Sequence, residues 1–164
     1  MYKRQVAYCP FAYGYSNYSR PGYASHTLQA APLVTFNGSP LRSTLGGAGI
    51  AISARCQHLP EALAYAQYTA SRVTQSTLYT LAGGQPGHRA AWQDPTLNAL
   101  TQNFFATTLL TLDQAWVRPR FPGFIAFQDA ASVLVHHYLV HGGPEREVLS
   151  QINIAYLKHR KFHV

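Results

Sequence analysis

His137 and His141 stand four residues apart in a stretch of helical character, a spacing that puts two imidazoles on one face and lets them chelate zinc. No glutamate follows the first of them as a metallopeptidase helix requires, and the order of residues offers no third ligand. No metal is therefore expected, and a metal-dependent hydrolase on the His137/His141 helix stands as the rival reading. Arg118 and Arg120 could clamp an anionic or polyhydroxylated ligand through paired hydrogen bonds, or brace their proline-rich loop against helix ends. Gly46 and Gly47, with Gly49, remove side chains where backbone N–H groups could approach a ligand, or serve only to permit a tight turn. Tyr8, Tyr13, Tyr15, Tyr18 and Tyr23 crowd aromatic rings with polar tips into one short segment. On a strand Tyr13 and Tyr15 share a face; the alternative is that these rings pack a core or bridge loops.

The usual catalytic signatures are missing. The chain contains no Gly-x-Ser-x-Gly elbow, phosphate loop or dinucleotide fingerprint, and its 6 carboxylates leave little material for acid/base pairs. It is read as a non-enzyme without a cofactor. Thirteen Lys and Arg against those acids give a net charge of +7, but the basic residues are scattered. Their only cluster, Lys158, His159, Arg160 and Lys161, suits the end of a helix, so no nucleic-acid partner is expected. At 164 residues, 47% hydrophobic and 12% charged, the chain is long enough and apolar enough to fold, yet too often interrupted by polar residues for a transmembrane segment. No sustained apolar run of an export signal occurs near the start. Cys9 and Cys56 permit one disulfide or two free thiols.

Elements must position these residues, and the texture changes between residues 58 and 59. Residues 1–58 read as short strands at 5–8, 33–36 and 49–53, joined by loops. Three such strands cannot cover a sheet by themselves, so pairing partners are expected elsewhere. Residues 59–164 read as helical: a long helix opened by Pro60 and Glu61, with a break near Ser71 and a stop at Gly83-Gly84. Asp94-Pro95 opens a stretch running through Leu100, Phe104, Phe105, Leu109 and Leu112. Residues 117–123, with Pro119 and Pro122, must be irregular. A helix over 124–141 ends at Gly142-Gly143, and Pro144 begins the last one. There Val148, Leu149, Ile152, Ala155 and Tyr156 form an apolar stripe while Glu145, Arg146, Gln151 and Lys158 face water.

The order of these signals resembles the extracellular solute-binding proteins of sugar-type ABC importers. Leu45-Gly46-Gly47-Ala48-Gly49-Ile50-Ala51-Ile52-Ser53 is similar to the family's Gly-rich strand, and Pro60-Glu61-Ala62 to the start of its following helix. Gly83-Gly84-Gln85-Pro86-Gly87-His88-Arg89 and Trp92-Gln93-Asp94-Pro95 match its next turn and step. Arg118-Pro119-Arg120-Phe121-Pro122-Gly123-Phe124 resembles the segment before its penultimate helix, and the final amphipathic helix its C-terminus. Tyr13-Gly14-Tyr15-Ser16-Asn17-Tyr18-Ser19-Arg20-Pro21-Gly22 is similar to one subgroup.

The resemblance implies an α/β, periplasmic-binding-protein-like II fold of which this is the C-terminal portion, a single incomplete unit with few short strands and then helices. It implies a two-lobed clamp, periplasmic or at the cell surface when complete, that captures a small solute, a carbohydrate above all, and hands it to the importer's membrane subunits. Sugars need flat apolar surfaces and planar hydrogen-bonding groups. The implied ligand-binding residues are Tyr13, Tyr15, Asn17, Tyr18, Gly46, Gly47, Arg118, Phe124 and Gln128. Gln128 and Asp129 stand where the family's maltodextrin binders carry aromatic contacts, so a smaller or more polar ligand is expected, with Phe124 or Phe127 supplying the stacking surface.

Overall fold

The structure, a computed structural model, describes Cys9 and residues 13–160, which form a helix-rich fold with one two-stranded ladder. The chain divides into two compact units, Met1–Trp116 and Val117–Val164.

In the first unit, a 3-10 turn at Ser16–Ser19 precedes β1 (Thr35–Phe36) and β2 (Ser39–Pro40), an antiparallel pair with Thr35 opposite Pro40 and Phe36 opposite Ser39. Asn37 and Gly38 both take positive φ, 50° and 76°, the backbone a two-residue hairpin turn demands. The strand expected over 33–36 is thus only its last two residues. The strand expected over 49–53 is absent, because residues 46–53 meet no neighbouring chain with which to pair: none of their backbone N–H groups bonds to a described backbone carbonyl. Just before them the chain touches the end of the unit, through a parallel bridge between Thr44 and Trp116. The strand expected over 5–8 lies outside the described residues.

Helix α1 (Leu59–Ala70) carries Pro60 in its first turn and Glu61 at its positive end. It breaks at Ser71, whose backbone is extended and whose hydroxyl accepts from Thr74 N–H to cap α2 (Arg72–Thr74). A π-helical turn follows at Gln75–Tyr79. Its widened turn is held by Gln75, a buried amide that donates to Thr69 O and accepts from Gly87 N–H at 2.7 Å each.

The core gathers around α3 (Arg89–Trp92), α4 (Pro95–Leu100) and α5 (Phe104–Asp113). Ala91, Trp92, Leu97, Phe104 and Phe105 are buried together, with Ala30, Leu109 and Leu112 against them. Trp92 and Phe105 approach at 5.2 Å, and Phe104 meets Phe105 edge-on at 5.6 Å. Asp94 caps α4 by accepting from Thr96 and Leu97 N–H. The helical stretch expected from Pro95 through Leu112 is two helices, since Gln102 and Asn103 take left-handed φ of 49° and 61°. Asn98 compensates for that break. Its amide donates to Trp92 O and Asp94 O and accepts from Ala106 N–H, tying three segments through one buried side chain.

The second unit is the irregular segment 117–123 and a hairpin of α6 (Phe124–His141) and α7 (Glu145–His159). Phe121, Phe124, Phe127 and Tyr156 pack ring to ring at 5.3 to 5.9 Å. Val148, Ile152, Ala155 and Tyr156 are half-buried as the apolar stripe requires, but Leu149 is 65% exposed, because it falls at the margin of the face α7 turns to α6. Gly123 begins α6 at φ 93°, and its Cα passes so close to the His159 carbonyl that no side chain fits between. No described helix is long and apolar enough to cross a membrane.

Two substitutions test these constraints. Asn98→Ala removes three hydrogen bonds made by a buried side chain and is expected to cost about 3 kcal/mol in urea unfolding followed by helical circular dichroism. Gly123→Ala combines an unfavourable φ with collision against His159 and is expected to cost about 2–4 kcal/mol, read as earlier loss of the hairpin's amide protection in hydrogen exchange.

Candidate functional site

The Tyr-rich segment is tied down by its backbone and by small polar groups, which leaves Tyr13 and Tyr15 exposed. Ser16 N–H donates to Gln85 Oε1 at 2.9 Å, and the same amide donates from Nε2 to Gly14 O. Arg20 donates to Thr80 O at 2.7 Å, and Ser19 Oγ to Leu28 O at 2.8 Å. Partial burial pulls the Arg20 guanidinium below its ordinary pKa. Strapped in this way, Tyr13 and Tyr15 keep 60% and 61% of their surface open.

The two lie outside any strand, so the shared face expected from strand alternation is not what displays them. Tyr13 instead meets Gly46: a Cβ on that glycine would stand 3.4 Å from the Tyr13 ring. Gly47 has open space where a side chain would be. Tyr18 is half-buried and stacks edge-on against Tyr23 at 5.2 Å, while its backbone carbonyl accepts from Leu28 N–H. Asn17 Oδ1 is buried beside Gly83 with no hydrogen-bond partner. The first unit thus brings together Tyr13 and Gly46, with Tyr15, Asn17 and Tyr18 on the adjoining turn.

Arg118, Phe124 and Gln128 belong to the second unit. Arg118 and Gln128 are exposed. Phe124 is 8% exposed, its ring enclosed by Phe121 and Phe127, so the stacking surface anticipated there is used inside the hairpin. Phe127 is half-buried against Tyr156.

A hollow of about 400 Å³ opens between residues 50–53 and the start of α1, lined by Ile50, Ile52, Arg55, Cys56, Ala62 and Tyr65 among others. Arg55 and Tyr65 carried no signal in the sequence, since each reads as an ordinary surface residue beside a helix start. Cys56 is half-buried there and Cys9 is exposed; no disulfide joins them.

The motif residues of the Gly83-to-Pro95 stretch serve structure. Gln85 straps the Tyr-rich turn, His88 accepts from Ala90 N–H to cap α3, and Trp92 donates from its indole to Pro86 O at 2.7 Å. His137 and His141 lie on the last turns of α6 with ring centroids 4.5 Å apart. Among the described residues, no three His, Cys, Asp or Glu side chains converge as a metal set. No known protein family, characterised protein or solved structure matches this chain.

Replacing Gln85 with Ala removes both bonds to the Tyr-rich turn. It is expected to raise hydrogen exchange at Ser16 by about tenfold, the equivalent of one lost bond of about 1.4 kcal/mol, while leaving the Trp92 core protected.

Proposed function

We propose that this chain is the C-terminal part of a solute-binding protein of the sugar-type ABC importers, with a periplasmic-binding-protein-like fold when complete. It catalyses no reaction; it holds a small solute, of carbohydrate class, for delivery to the importer's membrane subunits outside the cytoplasmic membrane. The observation that carries this reading is the meeting of Tyr13 with Gly46. The Tyr-rich and Gly-rich segments come together there, with an exposed aromatic ring beside Gly46 and open space at the neighbouring Gly47. An aromatic face with a polar tip beside accessible amides is the chemistry a sugar requires. The second unit, taken by itself, exposes two planar hydrogen-bonding groups, at Arg118 and Gln128.

Two surfaces support the further point that another part of the protein completes the fold. Residues 46–53 have the β-branched alternation of a strand, at Ile50 and Ile52, and no strand beside them among the described residues. Helix α6 is apolar on nearly every side, with Asp129 its only acidic or basic side chain apart from the histidines. Ile125, Val133, Leu139 and Val140 are nonetheless exposed on it, and a helix with that pattern belongs inside a larger structure.

Complementation tests the proposal. Separately purified N-terminal portions of sugar-type solute-binding proteins, mixed with this chain, are expected to give a one-to-one complex by light scattering. That complex should bind a sugar in calorimetry, while the chain alone gives no heat with millimolar sugar. Failure of the whole panel to form a complex, or tight sugar binding by the chain alone, overturns the reading.

A further inference from the structure

We propose that His137 and His141 form a chelate for a late first-row divalent cation, Cu²⁺ above Ni²⁺ and Zn²⁺, independent of any solute site. Both side chains are exposed, so neither is committed to packing, and both sit on an 18-residue helix whose backbone fixes their separation. Their ring centroids are 4.5 Å apart with planes at 46°. A metal about 2.0–2.1 Å from an imidazole nitrogen lies about 3.2 Å from that ring's centroid. Two imidazoles bound to one ion at angles between about 90° and 110° have centroids about 4.5 to 5.2 Å apart, so the observed spacing lets both rings reach a single cation. Among divalent first-row ions the order of affinities for nitrogen ligands places Cu²⁺ first.

The position on the helix adds to this. His141 is the last residue of α6, and Gly142 N–H closes the final turn on Tyr138 O, leaving the negative end of the helix dipole beside the pair. Glu145 accepts from the Tyr138 hydroxyl at 3.4 Å and brings a carboxylate to the same end of the hairpin. A divalent cation gains from the helix end, and because no third His, Cys, Asp or Glu converges among the described residues, water completes its coordination. His136 sits about 100° round the helix from His137 and takes no part.

The test uses the whole chain with Cu²⁺, Ni²⁺ or Zn²⁺ alone, in calorimetry against excess glycine to suppress weak sites. One equivalent of Cu²⁺ is expected to bind, more tightly than Zn²⁺. His137→Gln and His141→Gln should each weaken it at least about tenfold, with His136→Gln within about twofold of the parent. Circular dichroism at 222 nm confirms that the exposed substitutions leave the helix intact. A loss of less than tenfold in either pair variant, an equal loss in His136→Gln, or Zn²⁺ binding more tightly than Cu²⁺ overturns the proposal.

Discussion

The first unit depends on how one buried amide reconciles a broken helix with a packed aromatic core. Trp92, Phe104 and Phe105 can meet only if the chain turns sharply between α4 and α5, and that turn forces Gln102 and Asn103 into left-handed backbone. Such a turn strands polar groups of the main chain next to apolar rings, where an unmade hydrogen bond costs about 1–3 kcal/mol. Asn98 satisfies them from both sides, reaching back to α3 and forward into α5, while its own carbonyl accepts from Asn103 N–H at 2.8 Å. The Gly-rich turn before α3 is drawn into the same arrangement through Pro86 and the Trp92 indole. Packing and hydrogen bonding thus converge on one side chain, and the elements around it are short because each need only reach that centre.

Where local chemistry decides, the sequence is legible. The helix over 124–141 lies between Pro122-Gly123 and Gly142-Gly143, and the structure has it at those bounds. The break at Ser71 and the irregular 117–123 follow from a serine that can cap and from two prolines. Where distant contacts decide, the reading falters. Residues 49–53 have the composition of a strand, but a strand exists only with a neighbour, and the described residues provide none. The division at Trp116 and Val117 reflects which helices pack together, and no change in composition marks it. One local signal was there to be used: Asn37-Gly38 is a hairpin turn in its most favoured residues, and it places β1 and β2 directly.

The candidate site divides along the same line. That the tyrosines would cluster is a matter of spacing, but the turn that carries them is held by Gln85 and Thr80, remote in sequence, together with nearby Leu28. The contact of Tyr13 with Gly46 spans more than thirty positions and has no local signature. Phe124 illustrates the converse. An aromatic at a helix start beside Phe121 and Phe127 is as well suited to a hairpin core as to a ligand, and the hairpin takes it.

The second unit joins neighbours in sequence, for α6 and α7 are separated only by Gly142, Gly143 and Pro144. Contacts between adjacent helices close short loops and cost little chain entropy, so assemblies of this kind form in microseconds to milliseconds. The hairpin can therefore be complete soon after His159 clears the ribosome, with its aromatic cluster formed while contacts of longer span are still being sought. Residues 46–53, which join no ladder among the described residues, gain no such early protection and stay open to wrong neighbours during synthesis.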